Sequence, residues 1–248
     1  MPQQPIVLDG AQLATDLSGA LLWPERRLLA VADLHLEKAS SFARRGWFLP
    51  PYDTAQTLGR LEALMSREAP ETVICLGDSF HDRTAAERVS AADAARIRAL
   101  TTGRDWIWVV GNHDPEPPTG WGGRAVPEAA IGPLVFRHES RPPAAGEISG
   151  HFHPVAVVRV RGQRLRVRCF AHDGRHLILP AFGAYAGGLN VLDPALRPVL
   201  GHRFTVHAIG RERIFALPSA RLEADPASGP ALGEPDSGMP PRRKTLQS

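Results

Sequence analysis

Short apolar runs that alternate with amphipathic stretches constrain the fold of this chain more than any other feature. Residues 28–32, 73–76 and 106–110 are almost entirely apolar and predict three buried strands. Residues 53–67 repeat leucines on one helical face, and residues 84–100 form a second helical pattern. This β-α-β-α-β order is typical of a parallel or mixed sheet with helices packed against it.

Both predicted helices carry signals for their N-terminal ends. Asp53 precedes Gln56 by three residues, and Thr84 precedes Glu87 by the same spacing. This is the spacing of a capping box, in which two side chains bind each other's backbone amides. The sequence therefore predicts helix starts at positions 53 and 84.

The second half of the chain changes to a pattern of short strands. No repeat or linker separates the halves, so residues 1–217 are expected to form a single domain. The predicted fold class is α/β, a four-layer αββα sandwich in which helices flank two mixed β-sheets, the first mainly parallel and the second largely antiparallel. The strands predicted here cover residues 134–137, 155–160, 165–169, 177–179, 190–192 and 203–208.

The last stretch, residues 218–248, differs in composition from the rest. It contains six prolines and three glycines and few large apolar residues. Such a segment buries too little apolar surface to offset the entropy lost on ordering, so we predict a disordered tail. Its basic end, Arg242–Arg243–Lys244, either contacts an acidic partner or has no role.

Composition excludes several classes of protein. The chain has 248 residues, 43% of them hydrophobic, which suits an ordinary globular domain and not a fibrous or disordered one. No apolar run is long enough to span a bilayer, and the first ten residues lack the pattern of a secretory signal. The only cysteines, Cys75 and Cys169, have no metal or redox spacing, so a reduced cytoplasmic setting is expected.

Metal-binding residue types follow five predicted strands at the point where each strand ends. Six of the ten histidines lie in these five places. Ligands in α/β folds gather beyond the carboxyl ends of strands, so we expect these side chains to converge. The positions are Asp33, His35, Asp78, His81, Asp82, Asn112, His113, His138, His151 and His153.

Imidazole and carboxylate ligands together suit manganese, iron or zinc, and the lack of cysteine argues against a thiolate site. The number of ligands exceeds what one ion needs, and a carboxylate such as Asp78 can bridge two ions in phosphoryl chemistry. Glycine precedes Asp78, Asn112 and His151, which permits sharp turns that aim these side chains at one point.

The ordered set resembles the calcineurin-like metallophosphoesterase superfamily over roughly residues 28–154. Further segments are similar to its ligase-associated DNA damage response endonuclease branch, often called PdeM. These segments are DLHLEK at 33–38, LPPYDT at 49–54, GDSFHD at 77–82 and PAFGAYAGGLNV at 180–191.

The resemblance implies two divalent ions, with manganese the first choice and iron or zinc as alternatives. One ion would be held by Asp33, His35 and His153, the other by Asn112, His138 and His151, with Asp78 bridging the two. His113 would face the scissile phosphate, and His81 would assist it. Asp82 follows His81, one position later than the superfamily's Asp-Arg pair, so it either orients a histidine or caps the loop.

Residues 158–169 alternate with a period of two around Gly162-Gln163, which predicts a hairpin with those two residues in its turn. Five arginines would then share one face and suit contact with a nucleic-acid backbone, unless the face is simply exposed in an arginine-rich chain. They are Arg159, Arg161, Arg164, Arg166 and Arg168.

The expected function is phosphodiester hydrolysis by a DNA endonuclease in repair. A small-molecule phosphodiesterase or phosphatase acting on nucleotides or cyclic nucleotides is the alternative, and a non-catalytic scaffold of the same fold is the second. Expected partners are DNA and, from the resemblance, a DNA ligase, a helicase or an exonuclease. Trp106 and Trp108 are expected in the core, and residues 182–188 form either a tight turn or a close approach to substrate.

Overall fold

The computed structural model describes residues 3–114, 120–141 and 145–226. The described strands are β1 Gln4–Leu8, β2 Ala11–Thr15, β3 Leu21–Trp23, β4 Leu28–Ala32, β5 Thr72–Leu76, β6 Asp105–Val109, β7 Arg124–Val126, β8 Glu128–Ile131, β9 Leu134–Arg137, β10 Glu147–Ser149, β11 Pro154–Val160, β12 Gln163–His172, β13 His176–Ile178, β14 Leu189–Asn190, β15 Thr205–Ile209 and β16 Ile214–Pro218. The described α-helices are α1 Lys38–Arg44, α2 Asp53–Glu68, α3 Ala91–Thr101 and α4 Arg197–Leu200.

The first sheet has the order β1-β2-β3-β4-β5-β6-β7. Its first three pairings are antiparallel, whereas β4, β5, β6 and β7 pair in parallel. The parallel half contains the three predicted apolar strands, and their carboxyl ends therefore lie at one edge. Strands β1 to β3 were not predicted, and they make this sheet mixed.

The second sheet runs β14-β11-β12-β13-β10-β9-β8, with β15 joined to β12 and β16 joined to β15. Antiparallel hairpins such as β11–β12 occur beside parallel pairs such as β10–β13, so this sheet is also mixed. Both mixed sheets agree with the predicted fold class.

Three apolar clusters define the layers. One lies between the sheets and includes Ile74 and Phe170, and a second packs α2 and α3 against the outer face of the first sheet. The third packs the short α4 against the second sheet through Leu200 and Phe204. Successive residues of β4 alternate between the first two clusters, because strand side chains point to opposite faces. The αββα sandwich is thus confirmed.

Helix α2 begins at Asp53 as predicted, but neither of the two predicted capping boxes forms. At α2 the residue before the helix is Tyr52, and Asp53 instead accepts a hydrogen bond from the backbone N–H of Ala39. The second helix begins at Ala91, where the Ser90 hydroxyl accepts from the Asp93 N–H. A spacing of three residues recurs by chance, and only the surrounding turn decides which pair forms a cap.

The domain extends past the predicted boundary at residue 217. Pro218 ends β16, and a short 3₁₀ turn covers Ser219–Arg221. Glu223 then donates its backbone N–H to Val157, so this segment lies along β11. Residues 218–226 are held by these contacts, and the rest of the predicted tail lies outside the described residues. Among the described helices, none is long and apolar enough to cross a membrane.

Candidate metal centre

The metal-binding residue types converge at the carboxyl edge of β4, β5 and β6, together with the loops after β9 and β10. Five of them have left-handed backbone conformations, with φ between 43° and 68°. Non-glycine residues rarely adopt this conformation, and such strain clusters at functional sites where the surroundings enforce it. The five are Asp33, His35, Asp78, His151 and His153.

One group of candidate ligands consists of Asp33, His35 and His153. Their ligand atoms lie within 4.8 Å of one another. The Nε2 atoms of the two histidines are 3.2 Å apart, and the Asp33 Oδ1 is 3.4 Å from the His153 Nε2. Asp33 is fully buried, and burial above all lowers the pKa of His35 to about 2, which keeps this ring neutral and able to bind a cation.

The second group consists of Asp78, His138 and His151, again within 4.8 Å of one another. The His138 Nε2 lies 3.5 Å from the Asp78 Oδ2 and 3.2 Å from the His151 Nδ1. The opposite nitrogen of His138 is 3.3 Å from the backbone oxygen of Leu76, a contact that orients the ring. Asn112 stands beside this group, with its Nδ2 3.5 Å from His151.

Glycines permit these groups to form. A Cβ at Gly77 would lie 2.2 Å from the His138 ring, and one at Gly111 would lie 2.1 Å from the Asp78 backbone nitrogen. At Gly150 a Cβ would lie 2.6 Å from the Asp33 carboxylate. The predicted turning role therefore applies only to Gly77, whose φ is 65°, whereas Gly111 and Gly150 are required by close approach alone.

The donor atoms fit two divalent cations. Each group offers one carboxylate and two imidazoles, and within each group two histidine nitrogens are 3.2 Å apart. Metal–nitrogen bonds of about 2.1 Å place neighbouring ligand atoms roughly 3 Å apart, so this spacing suits two ligands of one ion. The structure therefore brings together all seven residues predicted to bind metal, Asn112 being the most exposed.

His113 and His81 form a pair at the rim of the site. Their rings stack with centroids 5.4 Å apart, and each ring is also 5.4 Å from the ring of His35. His113 donates its backbone N–H to Asp78, while its side chain is 48% exposed and accessible to substrate. Burial, followed by the charge of Lys38, lowers the pKa of His81 to about 4.

Asp82 is not directed at the predicted catalytic histidines. Its carboxylate oxygens accept from Arg88 at 3.0 and 2.7 Å, and one of them also accepts from the backbone and hydroxyl of Thr84. Burial opposes ionisation, yet these hydrogen bonds hold the pKa of Asp82 well below its usual range. Of the two roles left open by the sequence, these contacts favour the loop cap over the orientation of a histidine.

Asp114 is a site residue that the sequence reasoning did not single out. Its buried carboxylate accepts three backbone N–H groups, from Gly111, Ser79 and Phe80. Two loops that carry candidate ligands are thereby joined. Burial raises the pKa of Asp114 to about 7 despite these bonds. The sequence signal for Asp114 was its position directly after Asn112, a predicted metal ligand, and His113.

The glycine-rich segment 182–188 packs on the ligand loop. The backbone N–H groups of Phe182 and Gly183 donate to Ala32 and Asp33, and a Cβ at Gly183 would lie 2.4 Å from the Leu34 oxygen. Arg60 donates to the Phe182 oxygen and stacks on its ring at 4.9 Å. The close approach that the glycines allow is thus to this chain's own backbone.

The arginine face needs two corrections. The two-residue turn is Arg161-Gly162, with φ of 50° and 81°, and Arg159 pairs with Arg164. Arg161 therefore lies in the turn and not on the face. A two-residue hairpin turn with positive φ at both positions matches the twist of the strands. Glycine adopts a positive φ more readily than glutamine, so Gly162 suits the second turn position better than Gln163 would.

The face is also occupied by the chain's own carboxylates. Glu223 accepts from Arg159 and Arg164, and Asp225 accepts from Arg166. Arg168 donates to the backbone oxygen of Ala181. Each of the four arginines remaining on the face already has a partner within the described chain.

Comparison with known proteins agrees with this geometry. Residues 26–177 match the family model described as calcineurin-like phosphoesterase. The chain is similar to the crystal structure of Pseudomonas putida nuclease MPE, with 33% identity, 87% of this chain and 100% of that chain covered, and a TM-score of 0.67. Yfce, a phosphoesterase from E. coli, is 16% identical over 78% of this chain and 98% of its own, with a TM-score of 0.41. The chain matches no curated protein sequence.

Proposed function

The chain belongs to the calcineurin-like phosphoesterase family, and on that premise we propose that it hydrolyses phosphodiester bonds as a DNA endonuclease in repair. The fold is that of a metallophosphoesterase, which uses a dinuclear metal centre. One observation carries the proposal: two groups, each with a buried carboxylate, one buried imidazole and one half-buried imidazole, adjoin each other beside the exposed ring of His113. The similar protein from P. putida is a nuclease, which supports the choice of a nucleic-acid substrate.

Within this proposal the residues have distinct roles. Asp33, His35 and His153 would hold one ion, Asn112, His138 and His151 would hold the other, and Asp78 would contribute to both. When bound, such ions would supply an activated water and neutralise charge on the phosphate oxygens.

His113 is the group that touches substrate. Its ring is exposed and its backbone is fixed to Asp78, so it is placed to donate a proton to the leaving oxygen. His81 positions it by stacking. Asp114 holds the two ligand loops together.

We propose manganese as the ion, with iron or zinc as alternatives. The donor set is nitrogen and oxygen only, and the described cysteines, Cys75 and Cys169, are buried away from it and free. Harder nitrogen and oxygen ligands suit manganese and iron, whereas thiolates would favour zinc.

Hydrolysis of bis-p-nitrophenyl phosphate with added manganese tests the reaction. We expect turnover that disappears in Asp78→Asn, and a matched control, Asp105→Asn, that keeps native activity. Asp105 lies at the opposite edge of the same sheet, in an exposed ion pair with Arg124. Normal turnover in Asp78→Asn would exclude this mechanism.

Assays with single-stranded and duplex DNA as further substrates distinguish the nuclease from the two alternative functions. Cleavage of either polymer supports the nuclease. Turnover of bis-p-nitrophenyl phosphate without DNA cleavage would instead indicate an enzyme for nucleotides or cyclic nucleotides. Absence of all hydrolysis in the manganese-loaded protein would favour a non-catalytic scaffold, although the complete ligand set argues against that reading.

The proposed repair role also implies binding partners and a location in the cell. We propose contact with DNA through Arg159, Arg164 and Arg166, once the carboxylates that now bind them are displaced, together with Arg168 on the same face and Arg161 in the adjoining turn. The resemblance suggests association with a DNA ligase, a helicase or an exonuclease, and the cysteine usage suggests a cytoplasmic setting. Co-purification with one of these enzymes tests it.

A further inference from the structure

A loop beside the candidate metal centre exposes aromatic side chains. Within the described residues seven large apolar side chains are exposed, and three of them lie between positions 47 and 52. The exposed fractions are 58% for Trp47, 87% for Phe48 and 68% for Tyr52. Isolated exposed apolar residues are ordinary, but a group of aromatic rings on one loop marks a contact surface.

The loop is connected to the centre through Phe42. Trp47 and Arg45 both donate their backbone N–H groups to the Phe42 oxygen, so the chain folds back at the end of α1. The Phe42 ring lies 5.7 Å from the ring of His81, which itself stacks on His113. Phe42 therefore connects the aromatic loop, residues 47–52, to the histidine pair that would face the scissile phosphate.

A depression of about 430 Å³ adjoins the same helix end. Among the described residues its lining contains Arg44, Arg45 and Arg83, and the one acidic residue among them, Asp82, is bound by Arg88. In the described part of the chain neither Arg45 nor Arg83 has a carboxylate partner. This positive charge is thus uncompensated, unlike the charge of the arginine face.

The loop is also held in shape before any ligand arrives. Pro50 and Pro51 limit its backbone, and the Pro50 oxygen accepts both from the Tyr52 N–H and from the Tyr185 hydroxyl. A preformed loop loses little entropy when it binds, which favours affinity from a small number of contacts.

We propose that Trp47 and Phe48 stack on unpaired bases of a nucleic-acid strand, with a neighbouring phosphate of that strand in the arginine-lined depression. The inference rests on the proposed function, because it takes the scissile phosphate to lie at the metal centre. Alternating guanidinium and aromatic groups are what a single strand requires, since phosphates and base faces alternate along it. A small phosphoester bound at the centre has no bases or neighbouring phosphates to occupy this surface.

Binding of a labelled thymidine oligonucleotide of about 12 nucleotides, a length within known single-strand site sizes, tests the proposal by fluorescence anisotropy in EDTA. Trp47→Leu/Phe48→Leu keeps apolar surface and removes the rings, so we expect affinity to fall roughly tenfold or more. Trp47→Tyr/Phe48→Tyr keeps the rings and should bind within about twofold of native. Phe215→Leu, a 48% exposed phenylalanine on β16, is the matched control and should bind as native does.

The arginines are tested in the same assay. Arg45→Gln and Arg83→Gln should each weaken binding and reduce the slope of log K against log salt by roughly 0.7, the value for one phosphate contact on a single strand. Arg211→Gln, on an exposed turn elsewhere, should change neither quantity. A strand of abasic sites should bind the native protein about as weakly as the thymidine strand binds the double leucine variant.

Hydrolysis of bis-p-nitrophenyl phosphate separates this inference from the proposed function. All these variants should keep native turnover of that substrate, since none alters a candidate metal ligand. Native oligonucleotide affinity in the double leucine variant would overturn the inference, even with hydrolysis intact. If that variant loses its fold, the oligonucleotide affinity of the single variant Phe48→Ala tests the inference instead. An 87% exposed ring contributes little to the core, so this variant should fold. No hydrolysis in the native protein would overturn the proposed function, whatever the binding result.

Discussion

Gly150 shows how one missing Cβ shapes the candidate centre. Its φ is not in the left-handed region, so turning does not explain the glycine there. Instead, the Asp33 carboxylate and the Ala32 side chain occupy the place of a Cβ, at 2.6 and 2.9 Å. Asp33 in turn accepts a hydrogen bond from the backbone N–H of His151. Displacing the Asp33 carboxylate would therefore disturb one candidate ligand in each of the two groups.

We therefore expect Gly150→Ala to lower manganese affinity and hydrolysis by roughly 10- to 100-fold, as loss of groups that support metal ligands does. Gly187→Ala is the control, because nothing lies within 4 Å of its Cβ position and its backbone is not left-handed. Isothermal titration with manganese measures the affinity. Equal affinity in the two variants would contradict the packing argument.

His207 makes stability depend on pH. Its side chain is 4% exposed, its Nε2 is 3.2 Å from that of His172, and both Nδ1 atoms are buried without a partner in the described chain. Burial, with a contribution from His172, lowers the pKa of His207 from 6.5 to about 4. Between these values the unfolded chain binds a proton that the folded chain does not, so stability is full above pH 6.5 and falls as pH drops towards 4.

The native protein should lose unfolding free energy as the pH falls from about 7.5 to about 5. In His207→Leu this loss should be smaller by about 1–2 kcal/mol, because the proton uptake by His207 disappears. Urea denaturation at the two pH values measures it. His202→Gln, an exposed histidine, should leave the pH dependence as in the native protein. An unchanged pH dependence in His207→Leu would show that this histidine is not the group responsible.

At the scale of elements, the segment after β16 controls the charge of the β11–β12 hairpin. Its carboxylates bind three arginines of the hairpin, and the Glu223 backbone bonds to Val157. The ion pairs are partly exposed, with 54% of the Arg159 side chain accessible, so solvent screening leaves each of them only a small contribution to stability. The segment therefore acts mainly on the electrostatic potential of this face.

We expect Glu223→Gln/Asp225→Asn to leave the melting temperature nearly unchanged and to strengthen binding of duplex DNA, with a steeper salt dependence, if the arginine face contacts DNA. Filter binding at several salt concentrations measures both quantities. Glu25→Gln/Glu212→Gln, which removes two exposed negative charges elsewhere, is the control for net charge. Identical affinity and salt slope in the double variant and the control would remove the arginine face from DNA binding.

At the scale of the whole molecule, the centre connects the two sheets. Asp33 and Asp78 follow strands of the first sheet, whereas His138 and His151 follow strands of the second. A cation bound by such a set ties the layers together and binds only the folded state. Metal binding should therefore appear as stability of the entire domain.

Manganese at about 100 times its dissociation constant should add about 2.7 kcal/mol, which is a rise of roughly 5–10 °C in melting temperature for a domain of this size. Thermal unfolding of the EDTA-treated protein during manganese titration measures this rise. Asp78→Asn should lose most of the increment while Asp105→Asn keeps it. An equal rise in both variants would place the bound ion elsewhere.

Sequence alone determined the layered architecture and brought the candidate ligands into view, because apolar periodicity and residue type are local properties of the chain. It did not separate Asp82, which binds Arg88, from the neighbouring site histidine, since partners distant in sequence decide that difference. It correctly placed Trp106 in the core, but it gave no sign that Trp47 is exposed beside an arginine-lined depression. Whether a side chain is buried, paired or free depends on what the other elements place around it, and only the tertiary structure decides that.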